Sequence, residues 1–353
     1  MRWCLAFLLF AGCAAASDDA ITIHWEGQKA AGLVIPQSLL SNFSKDSIEH
    51  LLHVQLLNSG TPILGEYNVH DNAIEFRPVI SFTRGLQYSV SWRGQELQQI
   101  VIPADSTLKP PTIVSIYPTG DSLPVNLLKM YIVFSKPMRE GQAMEHIAVI
   151  RNGKDTVPSV FLDMAPELWN TERTVLTIWL DPGRIKRDLQ PNKAMGPPLE
   201  IGNHYEILVQ PGWEDVEGAA LATNHHTGFI AVARDDRSPD PDAWTISAPK
   251  AGTAGSLQID LHEQLDHALL QHAVKITDNK VNEIGGAFTT AREETVLQFI
   301  PAQSWAAGEY SIEVEPRLED LAGNNLERPF DKDLLKDSTT RKMTVYKKLF
   351  RIQ

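Results

Sequence analysis

The sequence predicts an all-β chain of tandem sandwich modules, and three observations carry that prediction. Short stretches alternate apolar and polar residues, as in Ala73-Ile74-Glu75-Phe76, Thr174-Val175-Leu176-Thr177-Ile178 and Val296-Leu297-Gln298-Phe299. Turn residues such as Asn152-Gly153-Lys154 and Asp278-Asn279-Lys280 separate them. A strand-and-turn unit also recurs. Gly202-Asn203-His204-Tyr205-Glu206-Ile207-Leu208-Val209 is followed by Glu214-Asp215-Val216-Glu217-Gly218, and Gly308-Glu309-Tyr310-Ser311-Ile312-Glu313-Val314 by Glu319-Asp320-Leu321-Ala322-Gly323.

The recurrence extends upstream. Met144 to Lys154 matches Leu270 to Lys280 without a gap, and a fainter copy starts at Ile48-Glu49-His50-Leu51-Leu52. Pro-bearing polar stretches at Pro103–Pro111 and Asp235–Asp242 read as stiff linkers. They divide the chain into a leader at 1–16 and modules at 17–105, 106–235 and 236–348. Pro182–Pro198 reads as a long polar loop inserted in the middle module. Tyr88, Tyr205 and Tyr310 each follow a Gly closely, as in the tyrosine corner of Ig-like sandwiches, so the expected fold class is tandem Ig-like β-sandwich domains.

At 353 residues the chain exceeds one sandwich, and its 43% hydrophobic and 22% charged residues are ordinary for a globular protein. The net charge of −12 argues against nucleic acid, because a phosphate backbone demands a basic face. Met1-Arg2-Trp3, the apolar run Leu5 to Ala11 and the small residues after it read as a targeting segment. That run is far below the roughly 20 residues a membrane-spanning helix needs. Phe10-Ala11-Gly12-Cys13 resembles the lipobox of bacterial lipoproteins, with Phe10 where that family carries Leu. The resemblance implies lipidation at Cys13; the rival reading is plain secretion with cleavage after Ala16. Ser17-Asp18-Asp19 resembles the export signals of some surface lipoproteins. Cys4 and Cys13 are the only cysteines, so the body of the chain holds no thiol chemistry.

Pro118-Thr119-Gly120-Asp121-Ser122-Leu123-Pro124, the strand Ile132-Val133-Phe134-Ser135-Lys136-Pro137-Met138 and the turn Asp320-Leu321-Ala322-Gly323-Asn324 together resemble the SbsA-type bacterial Ig-like domain. The likeness covers roughly residues 110 to 345. It implies a spacer or binding module on a bacterial surface and no defined chemistry.

Several residues invite chemistry. His262-Glu263 with His267 approaches a zinc motif, but the second His falls five residues on instead of four, and the segment aligns with Ser135-Lys136 of the middle module. His50, His146 and His272 occupy equivalent repeat positions, which suits a shared packing role. His225-His226 suits a solvated loop. Asp215 and Asp320 are expected to cap their own turns, with Gly taking a positive φ. Asp235, Asp236, Asp240 and Asp242 offer oxygen for calcium stiffening of the linker, against simple solvation. Trp169 and Trp213 lie in loop-like stretches where they would stack on sugars if exposed; Trp179 and Trp305 are assigned to core, and Trp244 is a further candidate.

The reading that results is a non-enzymatic cell-envelope protein with no cofactor and no metal. It would be lipid-anchored at the outer membrane or cell surface, or otherwise periplasmic or secreted. Its role would be spacer or adhesin, with Pro182–Pro198 as the displayed surface and an envelope protein or polysaccharide as partner. The alternatives are a glycan-binding accessory protein using Trp169 or Trp213, and a hydrolase built from scattered carboxylates and His262.

Overall fold

The computed structural model describes residues 20–331 and 345–353, apart from 28, 45–46, 58, 105–106 and 188. The leader, with Cys4, Cys13 and Ser17-Asp18-Asp19, lies outside the described residues. The chain forms two compact units, one running to Lys109 and including Val216–Ala219, the other comprising Pro110–Asp215 and Ala220–Gln353.

In the first unit, β1 (Thr22–Glu26), β2 (Lys29–Pro36), β4 (Gly65–Val69) and β5 (Ala73–Pro78) form one sheet in the order β1-β2-β5-β4. The short helix α1 (Ile48–Leu51) leads into β3 (Leu52–Leu56), which pairs with β6 (Gln87–Trp92) and β7 (Gln95–Val101) in the order β3-β6-β7. Lettered A to G in chain order, these are the ABED and CFG sheets of an Ig-like sandwich. Leu33, Ile35, Leu52, Val54, Ile74 and Phe76 alternate inward and are fully buried between them.

The second unit contains the same plan twice. Its middle sandwich takes β8 (Ile113–Tyr117), β10 (Lys129–Phe134), β14 (Val175–Trp179) and β13 (Leu168–Trp169) as one sheet. Opposite stand β11 (Ile147–Arg151), preceded by α2 (Ala143–His146), with β12 (Asp155–Thr156), β15 (His204–Val209) and β16 (His225–Val232). β9 (Ser122–Pro124) closes that sheet by pairing in parallel with β16. The last sandwich has β17 (Thr245–Ser247), β18 (Leu257–Asp260), β21 (Val296–Pro301) and β20 (Gly286–Ala291) facing β19 (Val274–Asp278), β22 (Gly308–Val314) and β23 (Tyr346–Ile352). Here α5 (His267–His272) precedes β19. The protein is therefore all-β, a tandem of Ig-like β-sandwiches.

Local devices repeat with the fold. The hydroxyl of Tyr88 accepts from the Thr83 N–H at 3.0 Å and that of Tyr205 from the Glu200 N–H at 2.9 Å, while Tyr310 donates to the Ala306 carbonyl at 3.0 Å. All three are tyrosine corners, as their sequence positions predict. A second shared device closes the outer edge of the C strand: Ile63 N–H to Val54 C=O at 2.7 Å, Val157 to Val149 at 2.8 Å and Ile284 to Ile276 at 2.8 Å.

Two sequence expectations need correction. The ungapped match of Met144–Lys154 to Leu270–Lys280 sets Val149 against Lys275, but Val149 is buried and Lys275 is not. β11 starts directly after His146, whereas Ala273 intervenes between His272 and β19, so the strands match one residue out of step. With a side-chain period of two, that residue exchanges the faces. The Pro182–Pro198 insertion is also not an open loop. It contains α3 (Pro182–Ile185), begun by Asp181 accepting from the Gly183 N–H, and α4 (Gln190–Met195), ended at Gly196 with φ +73°. Ile185 enters the core, and buried Arg184 donates to the carbonyls of Ser159, Gly196 and Pro197.

Candidate functional site

The residues drawn together from farthest apart in the second unit lie at the joint between its two sandwiches. The turn after β22 supplies Leu321, which is 8% exposed and belongs to the core of the middle sandwich. Its carbonyl accepts the Leu128 N–H at 2.9 Å. Gly323 makes the approach possible, because φ is +79° and a Cβ there would lie 2.3 Å from Leu128 Cδ2. Asp320 holds the turn, as the sequence predicts: one oxygen accepts from the N–H groups of Ala322 and Asn324 at 2.8 and 2.9 Å, the other from the Asn324 amide at 2.7 Å.

Charged pairs line the same joint. Lys129 Nζ lies 3.0 Å from Asp266 and 2.7 Å from Glu319. Burial alone would lower the pKa of Lys129, but the two carboxylates outweigh it and the net shift is upward. The Tyr131 hydroxyl donates to the Asp266 carboxylate, 2.8 and 2.7 Å from its oxygens, and burial, then that charge, raises the tyrosine pKa. Asp266 meanwhile caps α5 by accepting from the Leu269 N–H. Beside them Glu294 accepts from the N–H and hydroxyl of Thr119, and Tyr117 stacks on His267 at 3.5 Å. Pairs so enclosed must stay matched, since removing one partner strands a buried charge.

On one flank the carboxylates of Asp235, Glu263 and Asp320 come within 4.8 Å of one another. A cavity of about 610 Å³ adjoins them, lined by Arg234, Asp235, Arg237, Glu263 and Leu321 among others. Burial raises the pKa of Glu263, with Asp235 and Asp240 adding to it; burial likewise pushes Asp320 up to about 7. Three carboxylates this close relax by sharing protons or by taking a hard cation, which prefers oxygen ligands.

Of the four linker acids that the sequence offers for calcium, only Asp235 joins this group. Asp236 pairs with Arg234 at 2.9 Å, Asp240 accepts from the Asp242 N–H, and Asp242 accepts from the Tyr346 hydroxyl. The linker is not simply solvated either: Asn126 bonds both the N–H and the C=O of Asp235, at 2.9 and 2.7 Å. Glu263 is the residue sequence reasoning set aside with its motif, and no spacing rule connects it to Asp235 and Asp320.

The other candidates disperse. His262 lies 2.8 Å from the Thr245 hydroxyl and 3.3 Å from Asp260, while His267 stacks on Tyr117 and its pKa is lowered by burial. His225 and His226 stand not in a loop but at the start of β16, where neighbouring side chains take opposite faces. Of the repeat-position histidines, His146 stacks on Trp213, and the carbonyls of His146 and His272 accept from the Gln210 N–H and the Arg317 side chain. Trp213 overturns its assignment as a sugar platform, because it is 0% exposed and packs edge-on against Phe134 and Trp169. Trp169 is half-buried against the same core and donates to Glu167; Trp179 is half-buried too, while Trp244 and Trp305 are buried.

No family model matches the chain and no curated protein matches it. The SbsA-type resemblance therefore rests on the quoted motifs alone. Solved structures do match. The N-terminal part of the bacterial S-layer protein SbsC is 13% identical, at TM-score 0.24, over 58% of this chain and 41% of that one. A titin fragment is 11% identical, at TM-score 0.19, over 86% and 92%. The Bacteroides ovatus protein SGBP-B of a mixed-linkage glucan utilization locus, solved with a heptasaccharide, is 13% identical, at TM-score 0.18, over 81% and 58%. The chain thus spans less than half of that S-layer fragment. At TM-scores this low the likenesses carry no argument, and the fold rests on the strand order.

Proposed function

We propose that this chain is a non-enzymatic cell-envelope protein that holds a binding surface away from the membrane on tandem Ig-like modules. One observation carries the reading. The joint of the second unit is knit by Leu321 in the neighbouring core and by the buried Lys129–Asp266–Glu319 group, so the two sandwiches behave as one stiff element. A spacer or adhesin needs that stiffness. The leader and Cys13 support an envelope location with a lipid anchor, the alternative being secretion with cleavage after Ala16; among the described residues no helix is long and apolar enough to cross a membrane.

The insertion remains the favoured contact surface. Leu189, just before α4, and Met195, at its end, are 44% and 54% exposed, on a base fixed by Arg184. The partner would be an envelope protein or a polysaccharide. Crosslinking capture with Ser17–Gln353 against an envelope and polysaccharide extract tests this. Deleting the insertion would remove Ile185 from the core, so the control is Leu189→Ser with Met195→Ser. Capture lost in that variant supports the surface; no capture by the folded parent sinks the adhesive role.

A further inference from the structure

The C strands of the first and last sandwiches begin alike but end their hydrogen bonding differently. In the first, the Leu52 N–H bonds the Ile48 carbonyl of α1, and the Leu52 carbonyl accepts the Tyr67 hydroxyl at 2.6 Å. Leu52 corresponds to Val274, because the preceding residues accept the same rung: Arg93 N–H to Leu51 and Glu315 N–H to Ala273. Tyr67 corresponds to Phe288. Each is the third residue of its D strand after a Gly, and each packs at 4.9 Å on the E-strand phenylalanine paired with it, Phe76 or Phe299.

Phe288 has no hydroxyl, and α5 ends one residue earlier, with Ala273 taking the Leu269 carbonyl. Neither the N–H nor the C=O of Val274 therefore has a hydrogen-bond partner among the described residues. Both point away from β22, since in an antiparallel ladder consecutive residues face opposite edges and Ala273 faces β22. Val274 is only 5% exposed, and buried backbone groups are rarely left unmatched.

These groups open into a cavity of about 510 Å³ between β19 and β20. Ile284, Phe288 and Phe299 give it an apolar side, Lys275, Glu283, Glu313 and Glu315 give it a charged rim, and Gly285 and Gly286 line it as well. In the middle sandwich the residue matching Val274 is Ile147, and its N–H bonds the Ala143 carbonyl of α2.

We propose that the groove at the Val274 end of β19, short of the Ile284 bond to Ile276, is a docking site for an extended peptide segment, which pairs its main chain with Val274 and places an apolar side chain against Phe288. The donor and acceptor of one residue, side by side on a strand edge, match the main chain of a partner strand. A sugar ring or a helix does not offer that pairing. This proposal refines the binding role above and rests on it.

The test pans a displayed random heptapeptide library on the full mature chain, then synthesises the enriched peptides. Hydrogen exchange on the unmodified protein should show protection of the Val274 amide when peptide is bound. Phe288→Tyr should raise the melting temperature, by restoring the bond that Tyr67 makes, and weaken peptide binding at least tenfold. The idea is overturned by an absence of enriched peptides, by equal affinity for Phe288→Tyr, or by protection confined to other strands. Protection of Val274 by soluble polysaccharide alone would overturn it in favour of a glycan slot. Because exchange is read on the parent chain, the outcome does not depend on the variant folding. Extract capture that persists when the groove fails would leave the envelope role standing.

Discussion

In the middle sandwich the turn acid Asp215 is fully buried and faces Lys136 at 3.3 Å. In the last sandwich its counterpart Asp320 faces Glu263. The positions correspond closely, for Met138 bridges Asp215 as Leu265 bridges Asp320, two residues beyond Lys136 and Glu263 respectively. One backbone design thus carries an ion pair in one module and a like-charge pair in the next. The lesson is that main-chain capping holds the turn in the last sandwich with a carboxylate in the cation's place, whereas the middle sandwich sets Lys136 against its buried acid. That position has gone to an acidic flank on the joint.

Four experiments would break or sharpen that comparison. The largest effect is expected from Lys136→Glu, which gives buried Asp215 a like charge: a loss of about 3 kcal/mol in urea unfolding. A loss under a quarter of that would mean Lys136 is not its counter-ion. Gly323→Ala forces a Cβ onto Leu128 at positive φ and should cost about 2 kcal/mol. An unchanged melting temperature would show that the turn is not seated as described.

The third concerns pH. A carboxyl raised in the fold binds protons that the unfolded chain releases, so stability falls as pH climbs from Asp320's ordinary 3.8 through about 7. Glu263 and Glu294, both raised by burial, act in the same direction. His267, lowered by burial, works oppositely and costs stability as pH drops below its ordinary 6.5. Melting in cation-free buffer should therefore decline from pH 6 to 8, and Glu263→Lys, which restores the arrangement of the middle sandwich, should flatten that decline. A slope unchanged by the substitution would refute the coupling. Smallest is Tyr131→Phe, which removes one hydrogen bond to Asp266 for about 1 kcal/mol. A double-mutant cycle with Asp266→Asn would measure it.

What the sequence made legible was local. Alternation marked the strands, and the three tyrosine corners and the Asp320 turn were readable because each closes within a few residues. Features set by one residue or by distance were not. Ala273 shifts the β19 register invisibly in an ungapped match. Trp213 sits outside any strand yet is sealed by Phe134 and Trp169. Asp235, Glu263 and Asp320 meet at a joint where Asn126 and Asn324, from different sandwiches, both bond the Asp235 carbonyl, and no periodicity records that. The lipidation that the sequence leads one to expect at Cys13 falls on residues outside those described.

The seating of Leu321 bears on the order in which this chain can be made. A polypeptide emerging from its N-terminus presents the middle module before the last one, with the site around Leu128 still bare. That module finishes only when a turn from the far end of its neighbour arrives, so its folding waits on sequence an entire sandwich downstream.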